Sequence, residues 1–193
     1  MILIHDHQQH QARYSRYLGA LLRTEGLSAI TDVELTQLSA PTLAGSDLIV
    51  LPRMALAADH VDIIAAAVAQ GTHLLCLMPA PLLATRLGIT LTHRVIPHGR
   101  VSVDSTLLPH LDSPVTLDVL TPALCWQVPA ASTILASIDT QPVIVRLQYG
   151  QGSVTCIGFD VAATVARLRH GDPAMVDCHT AGLDGIYRPS ELF

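Results

Sequence analysis

The side chains best suited to chemistry lie together near the amino terminus. His5, Asp6 and His7 are consecutive, and His10 follows closely. An apolar run at 2–4 precedes them and predicts a strand, and open α/β sheets bind ligands at the carboxyl ends of their strands. Imidazole and carboxylate groups suit zinc, so this segment predicts a ligand-binding rim with His5 and His7 as its metal candidates. Because ten of the 193 residues are histidine, close pairs also arise by chance, and an exposed loop is the alternative.

Two further charged residues follow predicted strands and are expected near the same rim. Arg53 comes after the strand at 48–51, where a guanidinium group could clamp a carboxylate or a phosphate. It is otherwise a solvated loop residue or a partner of Asp6 or Asp47. Asp160 follows the last predicted strand, where it could act as a base or ligand, or could cap the next helix.

Other reactive side chains lack a supporting motif. Ser46 and Ser153 have no G-x-S-x-G context, and Cys178 lies in a polar tail with no placed base. His170 and Asp172 flank a glycine and superficially suggest a base with its orienting acid, but Gly-Asp-Pro is also a turn signal. The sequence therefore predicts no catalytic residue and no resident cofactor.

The stretch 47–88 predicts a corner of the sheet that lacks a nucleophile. It contains a buried strand, an apolar helix, a second buried strand and a further helix, at 47–52, 56–70, 73–78 and 82–87. In an open α/β sheet, the end of such a second strand is where a strand-to-helix elbow would hold a nucleophile. Leu77, Met78 and Pro79 occupy this corner, and none of them can attack a substrate.

The order of elements predicts an α/β domain with two different halves. The other strand candidates are 1–5, 28–32, 132–138, 142–149 and 153–159, and the other helix candidates are 8–25, 35–43 (or a loop) and 160–169. Alternating strands and helices over 1–88 predict a doubly wound, mostly parallel sheet. Five prolines within 91–130 and a hairpin turn at 150–152 predict an antiparallel extension in the second half. We expect a flavodoxin-like three-layer sandwich over 1–170, followed by a tail at 171–193.

Composition and charge exclude several classes of partner. The net charge is −5 and no basic cluster is present, which argues against nucleic-acid binding. The longest apolar run, 74–84, is well short of the roughly 20 residues that cross a bilayer. Met1 leads directly into an apolar run, which predicts a first strand, no signal peptide and a cytoplasmic location. Cys76 and Cys156 lie in apolar strand patterns and are expected to be inert core thiols.

Segments 47–52 and 71–84 resemble the middle of the class I glutamine amidotransferase-like fold, which the trimerisation domain of some β-galactosidases shares. The resemblance places Leu77 at the position of the family's catalytic cysteine, with Cys76 one residue early and expected on the opposite face of the strand. The family's late His-x-Glu pair has no counterpart in this sequence. The resemblance therefore implies a degenerate nucleophile position at Leu77 and no glutamine hydrolysis.

A second resemblance, to an uncharacterised group of large bacterial proteins, covers nearly the whole chain. The similar segments are YLGALLRTEGL at 17–27, YGQG at 149–152 with GFD at 158–160, RHGDP at 169–173, and DG at 184–185 with RPSELF at 188–193. In those proteins an amidotransferase-like domain precedes a polysaccharide-deacetylase-like region. The resemblance implies an N-terminal fragment or a stand-alone relative, with such a region or a second copy of the chain as the expected partner.

Taken together, the residues and the two resemblances predict a non-catalytic amidotransferase-like domain. Its expected role is ligand sensing, packing or assembly in carbohydrate-active machinery. One alternative is a metal-assisted hydrolase or transferase that uses the rim formed by His5, Asp6 and His7. The other alternative is an oligomerisation module. An enzyme is less favoured, because the cysteine and the His-x-Glu pair of the amidotransferases are absent.

Overall fold

A computed structural model describes the chain over four ranges, 1–9, 14–97, 99–104 and 115–170. His10 and the predicted tail, with Asp172 and Cys178, lie outside these ranges. The expected division into a domain at 1–170 and a tail at 171–193 therefore stays a prediction.

Eleven strands, five α-helices and one short 3-10 helix are formed by the described residues. The strands are β1 Ile2–His5, β2 Thr31–Glu34, β3 Leu48–Leu51, β4 His73–Leu77, β5 Thr90–Ile96, β6 Gly99–Val103, β7 Thr116–Val119, β8 Ala123–Gln127, β9 Thr133–Ile138, β10 Gln141–Tyr149 and β11 Gly152–Ile157. The helices are α1 Ser15–Thr24, the 3-10 helix Leu35–Gln37, α2 Ala40–Leu43, α3 Ala58–Ala69, α4 Pro81–Arg86 and α5 Val161–His170. No helix within the described ranges is long and apolar enough to cross a membrane.

Nine of these strands, within the described ranges, form one sheet in the order β2-β1-β3-β4-β11-β10-β9-β6-β7. The first five in this order are parallel neighbours, and the pairs from β11 to β7 are antiparallel. β5 and β8 form a separate antiparallel pair. The predicted α/β class, with a parallel sheet and an antiparallel extension in the second half of the chain, is confirmed.

The parallel half of the sheet is apolar on both faces because helices pack on each of them. Ile4 of β1 belongs to the same buried cluster as Ile64 of α3. The neighbouring residue, Leu3, belongs to a second cluster that contains Leu18 of α1 and Ala162 of α5. Successive strand residues face opposite sides of a sheet, so strands covered on both sides form nearly continuous apolar runs. This is the pattern that the sequence shows at 2–4 and 48–51.

The antiparallel half is organised around the β10–β11 hairpin. The hairpin turn predicted at 150–152 is confirmed: Gly150 and Gln151 form it, Gly152 already pairs with Tyr149, and Gly150 has a φ of +61° that favours glycine. Trp126 of β8 is buried, and its indole N–H donates to the Val143 carbonyl of β10 at 3.3 Å. A strand pair, and not a helix, therefore packs on this part of the sheet. The finer description as a flavodoxin-like three-layer sandwich stays a prediction.

Two elements begin later than the sequence pattern predicts. The second strand is predicted at 28–32, but β2 begins at Thr31, since the pairing of Thr31 with Ile2 sets its register on β1. Val33 is the buried apolar residue of this strand. The first helix is predicted from residue 8, but Gln8 and Gln9 lie in a turn that the Asp6 side chain stabilises. Both differences change which polar side chains meet at the ends of the strands.

The close approach of β11 to α3 gives a stability prediction. A Cβ atom on Gly152 would overlap the backbone carbonyl oxygens of Val68 and Thr72. Overpacking against rigid backbone is destabilising, so Gly152→Ala should lower the free energy of unfolding by about 3 kcal/mol. Gly45→Ala is the matched control, since Gly45 has a φ of +74° but open space around it, and strain alone costs about 1 to 2 kcal/mol.

Urea unfolding of both variants, followed by circular dichroism, measures the difference. Equal losses for the two substitutions would show that the contact between Gly152 and the α3 carboxyl end is not tight.

Candidate functional site

The five parallel strands end at one edge of the sheet, and several charged residues are collected there. His5 ends β1, Glu34 ends β2, and Arg53 and Asp160 follow β3 and β11. β1 lies between β2 and β3. The chain therefore passes from β1 to its neighbour on one side, β2, and then crosses to its neighbour on the other side, β3. At such a switch point, open α/β sheets have a crevice that binds ligands at the carboxyl edge.

Three side chains converge at the ends of β1 and β2. Parallel pairing places His5 opposite Glu34, and His5 Nδ1 lies 2.6 Å from Glu34 Oε2. His7 Nε2 lies 3.5 Å from the same oxygen. The two imidazole rings stack with their centroids 4.4 Å apart. One carboxylate oxygen therefore faces a nitrogen of each ring, and we call these three residues the His-Glu cluster.

Both carboxylate oxygens of Glu34 contact the two histidines. The backbone N–H of His7 donates to Oε1 at 3.3 Å, which leaves Oε2 directed at the imidazoles. The side chains of His5 and Glu34 are 15% and 24% exposed, whereas that of His7 is 38% exposed. Solvent therefore reaches the His-Glu cluster mainly from the His7 side.

The contact between His5 and Glu34 does not have the geometry of a normal hydrogen bond. His5 Nδ1 is buried, and despite its 2.6 Å distance from Oε2 it has no correctly aligned hydrogen-bond partner. A carboxylate oxygen and an unprotonated ring nitrogen at this distance repel each other unless a proton or a metal ion lies between them. The pair therefore has the arrangement of two ligands for one proton or one metal ion.

Asp6 does not join the two histidines. Its Oδ1 accepts hydrogen bonds from the backbone N–H groups of Gln8, at 2.8 Å, and Gln9, at 3.3 Å. Its Oδ2 accepts one from the Gln9 side chain at 2.6 Å. Asp6 is also buried. A carboxylate that accepts three such bonds is satisfied within its own turn, so its role in the structure is to hold the loop after β1.

The side chain of Gln9 bridges the switch point between β1 and β3. Its Oε1 accepts a hydrogen bond from the Ala55 N–H at 2.6 Å, and its Nε2 donates to the Ala55 carbonyl at 3.1 Å. The loops that follow β1 and β3 are therefore tied together across the position where related architectures bind ligands.

The other two predicted site residues have separate environments. Arg53 is exposed and makes no hydrogen bond or ion pair among the described residues, so it pairs with neither Asp6 nor Asp47. Asp160 Oδ1 accepts a hydrogen bond from the Ala163 N–H at 2.9 Å, which caps α5. Neither is among the residues that converge with His5.

The corner after β4 contains a residue with a positive φ but no reactive side chain. Met78 has a φ of +48°, which is unusual for a residue with a side chain. Its N–H donates to the Ile157 carbonyl of β11 at 2.7 Å. Leu77, Met78 and Pro79 are all buried. The predicted degenerate nucleophile position is Leu77, whereas the strained conformation typical of such elbows lies one residue later, at Met78.

The two thiols nearest this corner face away from Leu77. Cys76 and Cys156 are fully buried in the cluster that contains α3, whereas Leu77 belongs to the cluster that contains α1. Cys76 and Cys156 are partners in the β4–β11 register, with Sγ atoms 3.2 Å apart. This contact, followed by burial, raises the pKa of Cys76 well above its usual range. Cys76 is therefore a poor nucleophile, which agrees with the expected inert core thiol.

Sequence reasoning misses Glu34 because it places the second strand at 28–32. With that boundary, the residue is assigned to the connection and not to a strand end. Val33, the buried apolar residue just before it, was the available signal for a strand that extends to Glu34. Parallel pairing of that strand with β1 then brings Glu34 opposite His5.

Ser153, which has no catalytic motif in the sequence, contacts a histidine at the opposite edge of the sheet. Its hydroxyl lies 3.0 Å from His73 Nδ1, and its backbone N–H donates to the same nitrogen at 3.3 Å. Because the backbone N–H already occupies this nitrogen, the contact joins β11 to β4. It is separated from the His-Glu cluster by the length of the strands.

No protein-family model and no curated protein sequence matches the chain. Solved structures match it in fold. An exo-β-1,4-mannosidase, Op5Man5 from Opitutaceae bacterium strain TAV5, has a TM-score of 0.60 at 18% identity, over 84% of this chain and 32% of that one. A β-galactosidase from Rahnella sp. R3 has a TM-score of 0.62 at 15% identity, over 82% of this chain and 27% of that one.

The N-terminal domain of mmIFT52 also matches, with a TM-score of 0.64 at 11% identity over 82% of this chain and 86% of that one. At such identities the likeness shows the fold alone. The chain spans 32% of the mannosidase and 27% of the β-galactosidase, so it corresponds to one part of each of these larger proteins. The expected similarity to part of a β-galactosidase is confirmed at the level of fold. The relations to amidotransferases and to deacetylase-linked proteins stay predictions.

The buried thiols give a prediction on chemical reactivity. In the folded protein, iodoacetamide at about pH 8 should leave Cys76 and Cys156 unmodified, because burial excludes the reagent and the raised pKa of Cys76 keeps that thiol protonated. In urea both should react fully. Peptide mass spectrometry measures the modified fraction of each cysteine. Modification of folded Cys76 at the rate seen in urea would contradict this account.

Proposed function

We propose that the chain is a non-catalytic, amidotransferase-like α/β domain that serves packing and assembly in carbohydrate-active machinery. The observation that carries this proposal is the corner after β4. It follows a parallel strand, where α/β enzymes present a nucleophile, and Met78 there has a φ of +48°, but its three side chains, Leu77, Met78 and Pro79, are buried and unreactive. Because no side chain at this corner can act as a nucleophile, the fold serves as a scaffold in this proposal.

The fold neighbours support a role beside glycosidases. Two of them are a mannosidase and a β-galactosidase, and this chain matches about a third or less of each. We infer from this share that the matching part is an accessory domain there, and we extend that role to this chain. The predicted deacetylase-like partner and the predicted cytoplasmic location belong to the same proposal.

The antiparallel half supplies a surface for assembly. Three large apolar side chains on it are exposed, Val95 of β5, Leu117 of β7 and Ile134 of β9. β7 is also the last strand of the large sheet in the described residues, and the open side of an edge strand can pair with another chain. The first partner to test is a second copy of this chain, which would cover β7 and Leu117.

The non-catalytic proposal predicts no glutaminase activity. Purified protein should release no ammonia from glutamine, because no thiol stands at the corner and Cys76 is buried with a raised pKa. A coupled assay for ammonia, with a known glutaminase as the positive control, measures this directly. Ammonia release that disappears in Cys76→Ser would refute the proposal.

The assembly proposal predicts self-association through the antiparallel half. Sedimentation over two decades of protein concentration should show a concentration-dependent mass. Leu117→Lys should weaken the association by at least about tenfold, or 1.4 kcal/mol, because it would bury an ammonium group at the interface. Leu82→Lys on α4 is the matched control, since Leu82 is 57% exposed and Leu117 is 50% exposed. A strict monomer, or equal effects of the two substitutions, would contradict this assignment.

A further inference from the structure

We infer that the His-Glu cluster binds one zinc ion at the ends of β1 and β2. The ligand atoms are a nitrogen of His5, a nitrogen of His7 and a carboxylate oxygen of Glu34, which lie within 4.8 Å of one another. The inference is independent of the packing role proposed above, since it uses neither the corner at Met78 nor the antiparallel half.

The donor set selects the class of metal. Two imidazoles and one carboxylate form a ligand set found in zinc sites. Calcium and magnesium prefer oxygen ligands throughout, so two ring nitrogens select against them. Neutral imidazoles bind through a lone pair, and the Glu34 carboxylate supplies the negative charge that offsets part of the charge of the ion.

The distances fit a tetrahedral ion after one small movement. Zinc ligands lie about 2.0 to 2.2 Å from the metal, so two ligand atoms are roughly 3.4 Å apart. The distance from His7 Nε2 to Glu34 Oε2 is already 3.5 Å. The distance from His5 Nδ1 to Glu34 Oε2 is 2.6 Å and must increase by roughly 0.8 Å. Glu34 is 24% exposed, so a change in its side-chain torsions is the movement that this distance requires.

The surroundings of the cluster orient the ligands in advance. His5 Nδ1 is buried and has no aligned hydrogen-bond partner, and leaving such an atom unsatisfied costs about 1 to 3 kcal/mol. A metal ion would satisfy it. The His7 N–H already holds Glu34 Oε1, and outer contacts of this kind orient the carboxylates of metal sites. The stacking of the two rings keeps both imidazoles beside the same oxygen.

Three protein ligands leave one position of a tetrahedral ion free. Water reaches that position from the side of His7, whose side chain is 38% exposed. The bound ion would connect the end of β1, the loop after it and the end of β2. The competing occupant is a proton on His5 Nδ1, which would be donated to Glu34 and require no metal. The test therefore measures zinc binding directly, since a proton and a zinc ion would both account for the contact between His5 and Glu34.

Calorimetric titration of the chelator-treated protein with zinc tests the site. Wild type should bind one ion per chain, and Glu34→Gln should weaken binding by more than about tenfold, because it removes the shared charged ligand. Asp32→Asn is the matched control. It removes a carboxylate from the same strand, but Asp32 is exposed and pairs with Arg23 on the surface, so zinc affinity should stay at the wild-type value.

Thermal unfolding provides a second readout. Zinc should raise the Tm of wild type and of Asp32→Asn, because an ion that binds only the folded state stabilises it, and should not raise the Tm of Glu34→Gln. If Glu34→Gln is unstable on its own, His7→Asn repeats the test at a more exposed ligand.

Three results would overturn the inference. They are the absence of zinc binding by wild type, equal affinities of wild type and Glu34→Gln, and a loss of affinity in Asp32→Asn as large as that in Glu34→Gln. Leu117→Lys should leave the zinc titration unchanged, so failure of the assembly proposal and failure of the metal site would be seen separately.

Discussion

Parallel pairing in the middle of the sheet is the constraint on which the rest of the structure depends. Five neighbouring strands run in one direction, so their carboxyl ends meet at one edge. Helices cover both faces of these strands, which keeps their interiors apolar. Polar side chains of β1, β3 and β4 are therefore confined to the strand ends. The register that pairs Ile2 with Thr31 also places His5 opposite Glu34.

The same pairing preserves the corner after β4. A residue with a side chain in the left-handed region costs about 1 to 2 kcal/mol, and it persists only where the surroundings hold it. At Met78 the support is the hydrogen bond to Ile157 of the neighbouring parallel strand, together with burial of the side chain. Packing thus suffices to hold this conformation, so a left-handed residue at the end of a parallel strand does not by itself indicate an enzyme.

The sequence predicts the parallel half well, because continuous apolar runs, helical periodicity and glycine stops are local signals. It also predicts the β10–β11 hairpin from Gly150 and Gln151. The candidate site is predicted only in part. His5 and His7 are adjacent in sequence and can be found there, but Glu34 becomes their neighbour only through strand register, which is not a local property. Asp6 is predicted to join the histidines because it lies between them in the sequence. Its carboxylate instead accepts hydrogen bonds from backbone N–H groups only two and three residues away.

The turn that Asp6 stabilises also brings His7 next to His5 and Glu34. Because Asp6 binds the N–H groups of Gln8 and Gln9, the chain bends immediately after β1. His7 lies within this bend, so its own N–H is free to donate to Glu34 while its ring stacks on His5. Gln9 then fastens the end of the turn to Ala55 across the switch point. In open α/β sheets, ligands bind in the crevice at the switch point, which here lies between β1 and β3 and is bridged by Gln9. The accessible polar side chains are those of the His-Glu cluster, which lies one strand away, at the ends of β1 and β2.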